Sequence, residues 1–479
     1  MPAFTLNEIT RATGAEVVQA GSDYFTDIVT DTRKLRSSCL FLALKGERFN
    51  GEDFAAGAIR RGAAGVIVSR SISEANMVQL QDGDGTVLTV PDTLLAYQQI
   101  AHLHRMRFQL PVVAITGSNG KTTTKDLTAA VLSARGPVQK TQANFNNEVG
   151  LPLTLLGIRP DHVAAVVEIG MRGLHQIDKL APLAAPSVGI VTNVGETHME
   201  LLGSLENIAR AKSELVEAIP AGGTVILNND NTYVAAMRRQ ARPGVKVLTF
   251  GIEPGPADPS LGATDIRAED IRTEGQQTRF FVDYGGERHE YVVPMVGRHN
   301  VYNALAAIAA GFALGETPQE IADGLQQLEA TKMRFECERL GDWNIVNDAY
   351  NASPMSMKAA IETLDALVKE KMAAGDAAYN GRMIAVMGDM FELGSVAESA
   401  HIEVGRELAE HGFAAVVTRG ELAHHIAGAA RTGGVPEVYE CDSHEAAAAK
   451  LKDILQPGDT VLFKGSRGMQ MEKIIDLLG

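Results

Sequence analysis

The segment PVVAIT, 111–116, runs directly into TGSNGKTT, 116–123, and then into a helix-forming stretch beginning near Lys121. An apolar strand that feeds a glycine loop and then a helix is compatible with few folds. Gly117 and Gly120 let the backbone aim N–H groups at phosphate oxygens, and the helix N-terminus adds partial positive charge. Lys121 is placed to reach terminal phosphates and Thr122 to ligate magnesium. The strict form of this loop has glycine at position 115, where the chain has Ile115, so the loop is a shortened variant. A plain glycine turn with a solvated lysine is the rival reading. The strand before the loop and the helix after it favour an ATP site.

The rest of the chain repeats this style. At roughly 150 residues per domain, 479 residues suggest about three domains. In the first, LFLAL (40–44), GVIV (65–68) and TVLTV (86–90) read as strands, and a small α/β domain spans 1–108. In the second, 109–330, the loop strand is followed by VAAVVEI (163–169), SVGIVTNV (187–194) and TVILN (224–228). Strands alternating with helical stretches predict a parallel sheet. The stretch 244–295 predicts an antiparallel extension, and a helix from about Asn300 to Leu314 closes the domain. The third domain, 331–479, carries NIVND (344–348), MIAVMGDM (383–390), AAVVTRG (414–420) and TVLFKGS (460–466). The expected class is α/β, with a central P-loop parallel sheet, a C-terminal Rossmann-like sheet and a smaller N-terminal α/β domain. Ligands are expected in clefts beyond the strands' carboxyl ends.

Acidic residues number 59 and basic ones 44, a net charge of −15 that disfavours a nucleic-acid partner. Cys39, Cys337 and Cys441 are too scattered for a disulfide framework or a zinc knuckle, and read as reduced thiols. The start, MPAFTLNEITRATG, lacks the form of a signal peptide, and the longest apolar tract, 301–314, is too short to span a bilayer. A cytoplasmic protein with no membrane partner is expected. Glycine, at 47 residues, exceeds the usual share of about 7%, as in many α/β nucleotide enzymes.

Three side chains stand out beyond the loop. Glu168 ends an apolar strand on the same edge as the phosphate loop, where an acidic residue can hold magnesium; the alternative is a carboxylate facing solvent. His198 follows another strand in TNVGETHMELLGS, and is either a ligand or an ordinary hydrogen-bonded side chain. Lys212 shares the helix face of Ile208, Ala211 and Leu215, an apolar face where lysine does not belong. Either its stem packs and its ammonium reaches water, or it is desolvated for chemistry.

In order along the chain, TGSNGKTT, NFNNEVGLPLTLL (144–156), VVEIGMRG, HMELLGSLENIARAKSEL and GRHNVYNALAA resemble the Mur ligase family, ATP-dependent amide-forming ligases of bacterial peptidoglycan precursor synthesis. DAYNASPMSMKAAIETL (348–364), GDMFELG (388–394) and VLFKGSRGMQME (461–472) resemble the branch that adds D-alanyl-D-alanine to a UDP-muramoyl-tripeptide through an acyl phosphate. That branch often has YNANP where this chain has YNASP, so Ser353 replaces an asparagine. Sister ligases that add one amino acid, and folylpolyglutamate synthetases, are the neighbouring alternatives.

The resemblance implies catalytic roles for Lys121, Glu168, His198 and Lys212, with Lys212 carbamylated and two magnesium ions held by Thr122, Glu168, His198 and the Lys212 carbamate. It implies an ATP site of Gly117, Ser118, Asn119, Gly120, Lys121, Thr122, Thr123, Asn300, Asn303, Arg334, Asp348 and Asn351. Asp31, Thr32, Arg33, Lys45, Gly46, Asn144 and Asn147 would hold the UDP-linked substrate, and Asn351 and Ser353 the dipeptide. The implied partners are small molecules alone, taken up by a monomer.

Overall fold

The computed structural model describes residues 3–46, 49–254, 262–328 and 332–479. The chain forms two compact units, Met1–Ala114 with Arg135–Gly170 and Ile177–Ser187, and Ile115–Ala134 with Met171–Gln176 and Val188–Gly479. Residues 329–331, at the expected boundary after 330, lie outside the described residues.

In the first unit a five-stranded sheet runs in the order Glu16–Gln19, Thr86–Val90, Gly65–Ser69, Leu40–Leu42, Ile28–Val29. Its last four strands are parallel, and Glu16–Gln19 is antiparallel to Thr86–Val90. The three expected strands are the buried apolar ones, although the first stops at Leu42 rather than Leu44. Glu16–Gln19 is mostly exposed and so carried no apolar signal. Asp92 caps the helix Thr93–Arg105 by accepting from the N–H groups of Leu94 and Leu95. At the other end, buried Arg105 donates to the carbonyls of Phe108, Leu110, Ala184 and Ala185. Those bonds satisfy carbonyls of the partly buried loop backbone. Strand Ala164–Glu168 pairs in parallel with Val138–Lys140 in the same unit.

In the second unit, strands Val188–Val191, Thr224–Asn228 and Lys246–Gly251 are parallel, and Ile266–Glu274 joins in parallel at Phe250 and Ile266. The antiparallel extension expected over 244–295 therefore starts later than its sequence suggests. It comprises Ile266–Glu274, Gln277–Tyr284 and Glu287–Val293. The second reversal turns on Gly285 and Gly286, both with positive φ, the conformation a two-residue hairpin requires. Residues 255–261 of that stretch lie outside the described residues. The closing helix is Arg298–Ala313.

The C-terminal sheet has the order Glu336–Leu340, Trp343–Asn347, Thr460–Lys464, Met383–Gly388, Ala415–Arg419, Glu437–Glu440. All pairs are parallel except the first. Its four inner strands are those the apolar runs predicted, and the partly exposed edge strands Glu336–Leu340 and Glu437–Glu440 were not predicted. Apolar clusters cover both faces, one around Leu364, Leu408 and Ile426 and the other around Leu451, Ile474 and Phe463. Among the described residues no helix is long and apolar enough to cross a membrane.

Candidate active site

The loop between Val112–Thr116 and the helix Lys121–Leu132 turns on two glycines. Gly117 has φ 154° and Gly120 has φ 80°. A β-carbon at Gly117 would collide with Thr192 Oγ1, and one at Gly120 with Asn303 Oδ1. The segment after Val188–Val191 braces the loop. Ser118 N–H donates to Asn193 O at 2.9 Å, Asn119 N–H to Asn193 Oδ1 at 2.8 Å, and the Thr192 hydroxyl to Asn119 O at 2.6 Å. The Thr197 hydroxyl donates to Ser118 Oγ at 3.0 Å. The cradle is thus shaped by the protein's own bonds. Lys121 Nζ bends back to Gly117 O at 2.7 Å, and Thr122 and Thr123 are buried in the first helical turn.

Two further elements converge on this loop. From the helix Arg298–Ala313, Asn303 Oδ1 accepts from the Thr124 hydroxyl at 3.2 Å, and its Nδ2 donates to Asn300 Oδ1 at 3.1 Å. From the C-terminal segment, Ser353 caps the helix Pro354–Ala373 and its hydroxyl donates to Asn119 Oδ1 at 2.8 Å. Behind Ser353, buried Lys464 meets Asp348 Oδ2 at 2.5 Å and donates to Asn351 O at 3.1 Å. Asp348 Oδ1 accepts from Phe335 N–H, and the Arg334 guanidinium lies 4.2 Å from the centre of the Tyr350 ring. The structure therefore gathers the loop, Asn303 and Ser353 directly, and holds Arg334, Asp348 and Asn351 in one adjoining group.

Lys212 lies in the helix Leu205–Ala218, capped by Ser204. It is 2% exposed, and Ile208, Ala211 and Leu215 are buried on the same face. The ammonium does not reach water, so the snorkelling alternative fails. Burial pushes its pKa well below the usual lysine value, and the charge of Lys121 pushes the same way. Among the described residues no carboxylate forms an ion pair with it. Desolvation disfavours the charged ammonium there. His198, with φ 57°, precedes the helix Met199–Leu202, and its Nδ1 lies 2.5 Å from Glu392 Oε2. The hydrogen bond to His198 holds the Glu392 carboxyl below the usual range.

The remaining candidates belong to the other compact unit. Glu168 is buried rather than solvent-facing; Asn146 Nδ2 donates to its Oε1 at 2.7 Å, and its N–H donates to Thr141 Oγ1. Asp31 caps the short turn Thr32–Lys34 and grips the Arg33 side chain, which lowers its pKa to about 2. Lys45 bridges to Asn50, and Gly46 N–H donates to Phe49 O. Glu47 and Arg48, within the segment expected to hold the uridine nucleotide, lie outside the described residues. Asn144 O accepts from Asn146 N–H, while Asn147 Oδ1 accepts from the N–H of Gly150, the first residue of the helix Gly150–Leu156.

Sequence reasoning missed Asn146, Thr192, Asn193, Glu392 and Lys464. A lysine ending the buried run TVLFK is as misplaced as Lys212 and could have been found by the same logic. The other four act through partners far away in the chain.

The chain matches the Mur ligase family catalytic domain over residues 25–105, the Mur ligase middle domain over 115–311 and the Mur ligase glutamate ligase domain over 333–467. It belongs to the Mur ligase family. Among named relatives, it is 38% identical to the UDP-N-acetylmuramoyl-tripeptide--D-alanyl-D-alanine ligase of Bacillus subtilis, covering 94% of this chain and 92% of that one. It is 35% identical to the ligase of the same name from Escherichia coli, covering 100% and 99%. A crystal structure of MurF from Acinetobacter baumannii superposes with a TM-score of 0.87 at 31% identity, covering 100% and 99%. MurF ligase from Thermotoga maritima in complex with ADP gives 0.79 at 26% identity, covering 94% and 96%.

Proposed function

We propose that this chain joins D-alanyl-D-alanine to a UDP-N-acetylmuramoyl-tripeptide at the expense of ATP. The observation that supports this reading best is the convergence of Asn303 and Ser353 on the phosphate loop, in a chain similar over its whole length to ligases of that name. A carboxylate acylates poorly because its leaving group would be oxide. Phosphorylation by ATP converts it to an acyl phosphate, and the dipeptide's amine then displaces phosphate to form the amide. Lys121 and the loop N–H groups neutralise the transferring phosphoryl group, and Asn300, Asn303, Arg334, Asp348 and Asn351 line the nucleotide.

Magnesium, when bound, would offset charge on the phosphate oxygens. Thr122, Glu168, His198 and a carbamate on Lys212 are the residues assigned to hold it. Among the described residues no three acidic, histidine or cysteine side chains form a metal-sized group; magnesium prefers oxygen donors, and carbamylation of the buried Lys212 amine would add them. Residues 1–108 are assigned to the UDP-linked substrate through Asp31, Thr32, Arg33, Lys45 and Gly46, joined by Asn144 and Asn147 from beyond that range. Residues 109–330 are assigned to ATP, and 331–479 to the dipeptide through Asn351 and Ser353. The enzyme works as a cytoplasmic monomer.

Phosphate release with each substrate omitted in turn tests the reading. Turnover should require ATP, the UDP-linked tripeptide and D-alanyl-D-alanine together, and Lys121→Ala should abolish it without loss of fold. Equal turnover with a single amino acid in place of the dipeptide would assign the chain to a sister activity.

A further inference from the structure

We propose that Asn228 and Asn231 are positioning residues for the phosphate loop, acting through the segment 192–195 that braces it. The proposal rests on the reading of that loop as the ATP site. The buried strand Thr224–Asn228 is followed by Asn229, Asp230 and Asn231, so four polar side chains follow one another where an apolar run ends. Asn228 is 6% exposed and Asn229 is fully buried. Polar groups so placed require partners, and here the partners lead to two walls of the site.

The strand Val188–Val191 pairs in parallel with Thr224–Leu227, and the ladder ends at the pair Val191 and Leu227. The residues that follow Val191 bond to the phosphate loop. The Thr192 hydroxyl donates to Asn119 O, Asn193 accepts from the N–H groups of Ser118 and Asn119, and Gly195 N–H donates to Ser118 Oγ at 3.0 Å. Thr192 and Val194 are both buried, so their carbonyls need donors although the main-chain ladder has ended. Asn228 Nδ2 donates to Thr192 O at 2.9 Å, and Asn231 Nδ2 to Val194 O at 3.0 Å. Two side-chain amides thus prolong the ladder and hold the brace in place.

Each amide is locked at its other atom. Asn228 Oδ1 accepts from Asp230 N–H at 3.0 Å, and Asn231 Oδ1 accepts from Val234 N–H at 3.2 Å, capping the helix Thr232–Ala236. Between them, Asp230 Oδ2 accepts from the Tyr302 hydroxyl at 2.8 Å. Tyr302 lies on the helix Arg298–Ala313, whose Asn303 accepts from the Thr124 hydroxyl. One short turn therefore fixes the brace behind the loop and the helix beside it. Catalysis by positioning is steep in distance, so a shift of the brace is felt at the phosphates.

Asn228→Ser and Asn231→Ser withdraw the reaching amides. A serine hydroxyl still accepts from the N–H two or three residues on, and adds no charge beside the phosphates. In the full-length enzyme the KM for ATP should rise about 3- to 10-fold, the scale of one hydrogen bond, while those for the UDP-linked tripeptide and D-alanyl-D-alanine stay unchanged. ADP, titrated calorimetrically with no other substrate, should weaken by the same factor. Thr192→Val, which removes the bond to Asn119, should weaken ADP as well, and combined with Asn228→Ser it should cost less than the product of the two effects. Effects that multiply in full overturn the route through the brace. Asn231 is half-buried, and serine also caps helices, so Asn231→Ser carries the test alone if Asn228→Ser does not fold. Unchanged ADP affinity in the serine variants, with Lys121→Ala losing it, overturns the proposal and leaves the loop as the ATP site. Unchanged affinity in Lys121→Ala as well removes that reading too. A rise shared by all three KM values marks general loosening and also overturns the proposal.

Discussion

Lys212 in the central region and Lys464 in the C-terminal sheet are both 2% exposed, yet their environments are opposite. Lys464 meets the Asp348 carboxylate and the Asn351 carbonyl, so its charge is neutralised where it lies. Lys212 has no carboxylate partner among the described residues, and burial together with Lys121 drives it toward the neutral amine. One buried lysine ties a strand end to the segment before Ser353. The other is desolvated without a counter-charge. Burial alone does not assign a lysine its role; the presence or absence of a counter-charge does.

The sharpest way to break this contrast is Lys212→Ala. Its turnover should fall by about 10²–10³-fold, the scale of losing one preorganised electrostatic group, and short carboxylic acids should restore part of it. Activity that survives without bicarbonate or rescue would remove the carbamate. Lys464→Met should instead act on stability. It strands the Asp348 carboxylate, whose side chain is 17% exposed, and urea unfolding should show a loss of about 3 kcal/mol. Adding Asp348→Asn should recover part of that loss. Lys212→Met, by the same reasoning, removes no ion pair and should change stability by less than about 1 kcal/mol.

A pH-dependent effect is expected from His299, near Asp348 and Lys464, whose Nδ1 is buried without a hydrogen bond. Burial lowers its pKa from 6.5 to about 4. The unfolded chain takes up this proton first, so stability falls as pH drops from about 6.5 toward 4. Thermal melts of His299→Gln should be flatter across that window than those of the wild type.

The phosphate loop was legible because its requirements are local. Positive φ at Gly117 and Gly120, a strand before and a helix after are all written within a dozen residues or so. Lys212 was legible as an anomaly of helical period, and the inner strands as apolar runs. The edge strands Glu16–Gln19, Glu336–Leu340 and Glu437–Glu440 were not, because one exposed side dilutes the apolar pattern. The strand Lys246–Gly251 was misread as antiparallel because its pairing depends on Thr224–Asn228, not on its own composition.

The sequence by itself determined that a phosphate loop would form, that a lysine would sit on an apolar helix face and that the chain would build α/β sheets, since φ preference and hydrophobic period act between near neighbours. Only the tertiary structure decided what each charged group meets. Ser353 reaches Asn119 across 234 positions and Lys464 reaches Asp348 across 116. Whether a buried charge is neutralised or left reactive depends on groups brought within a few ångströms by the fold, and no local pattern encodes that distance.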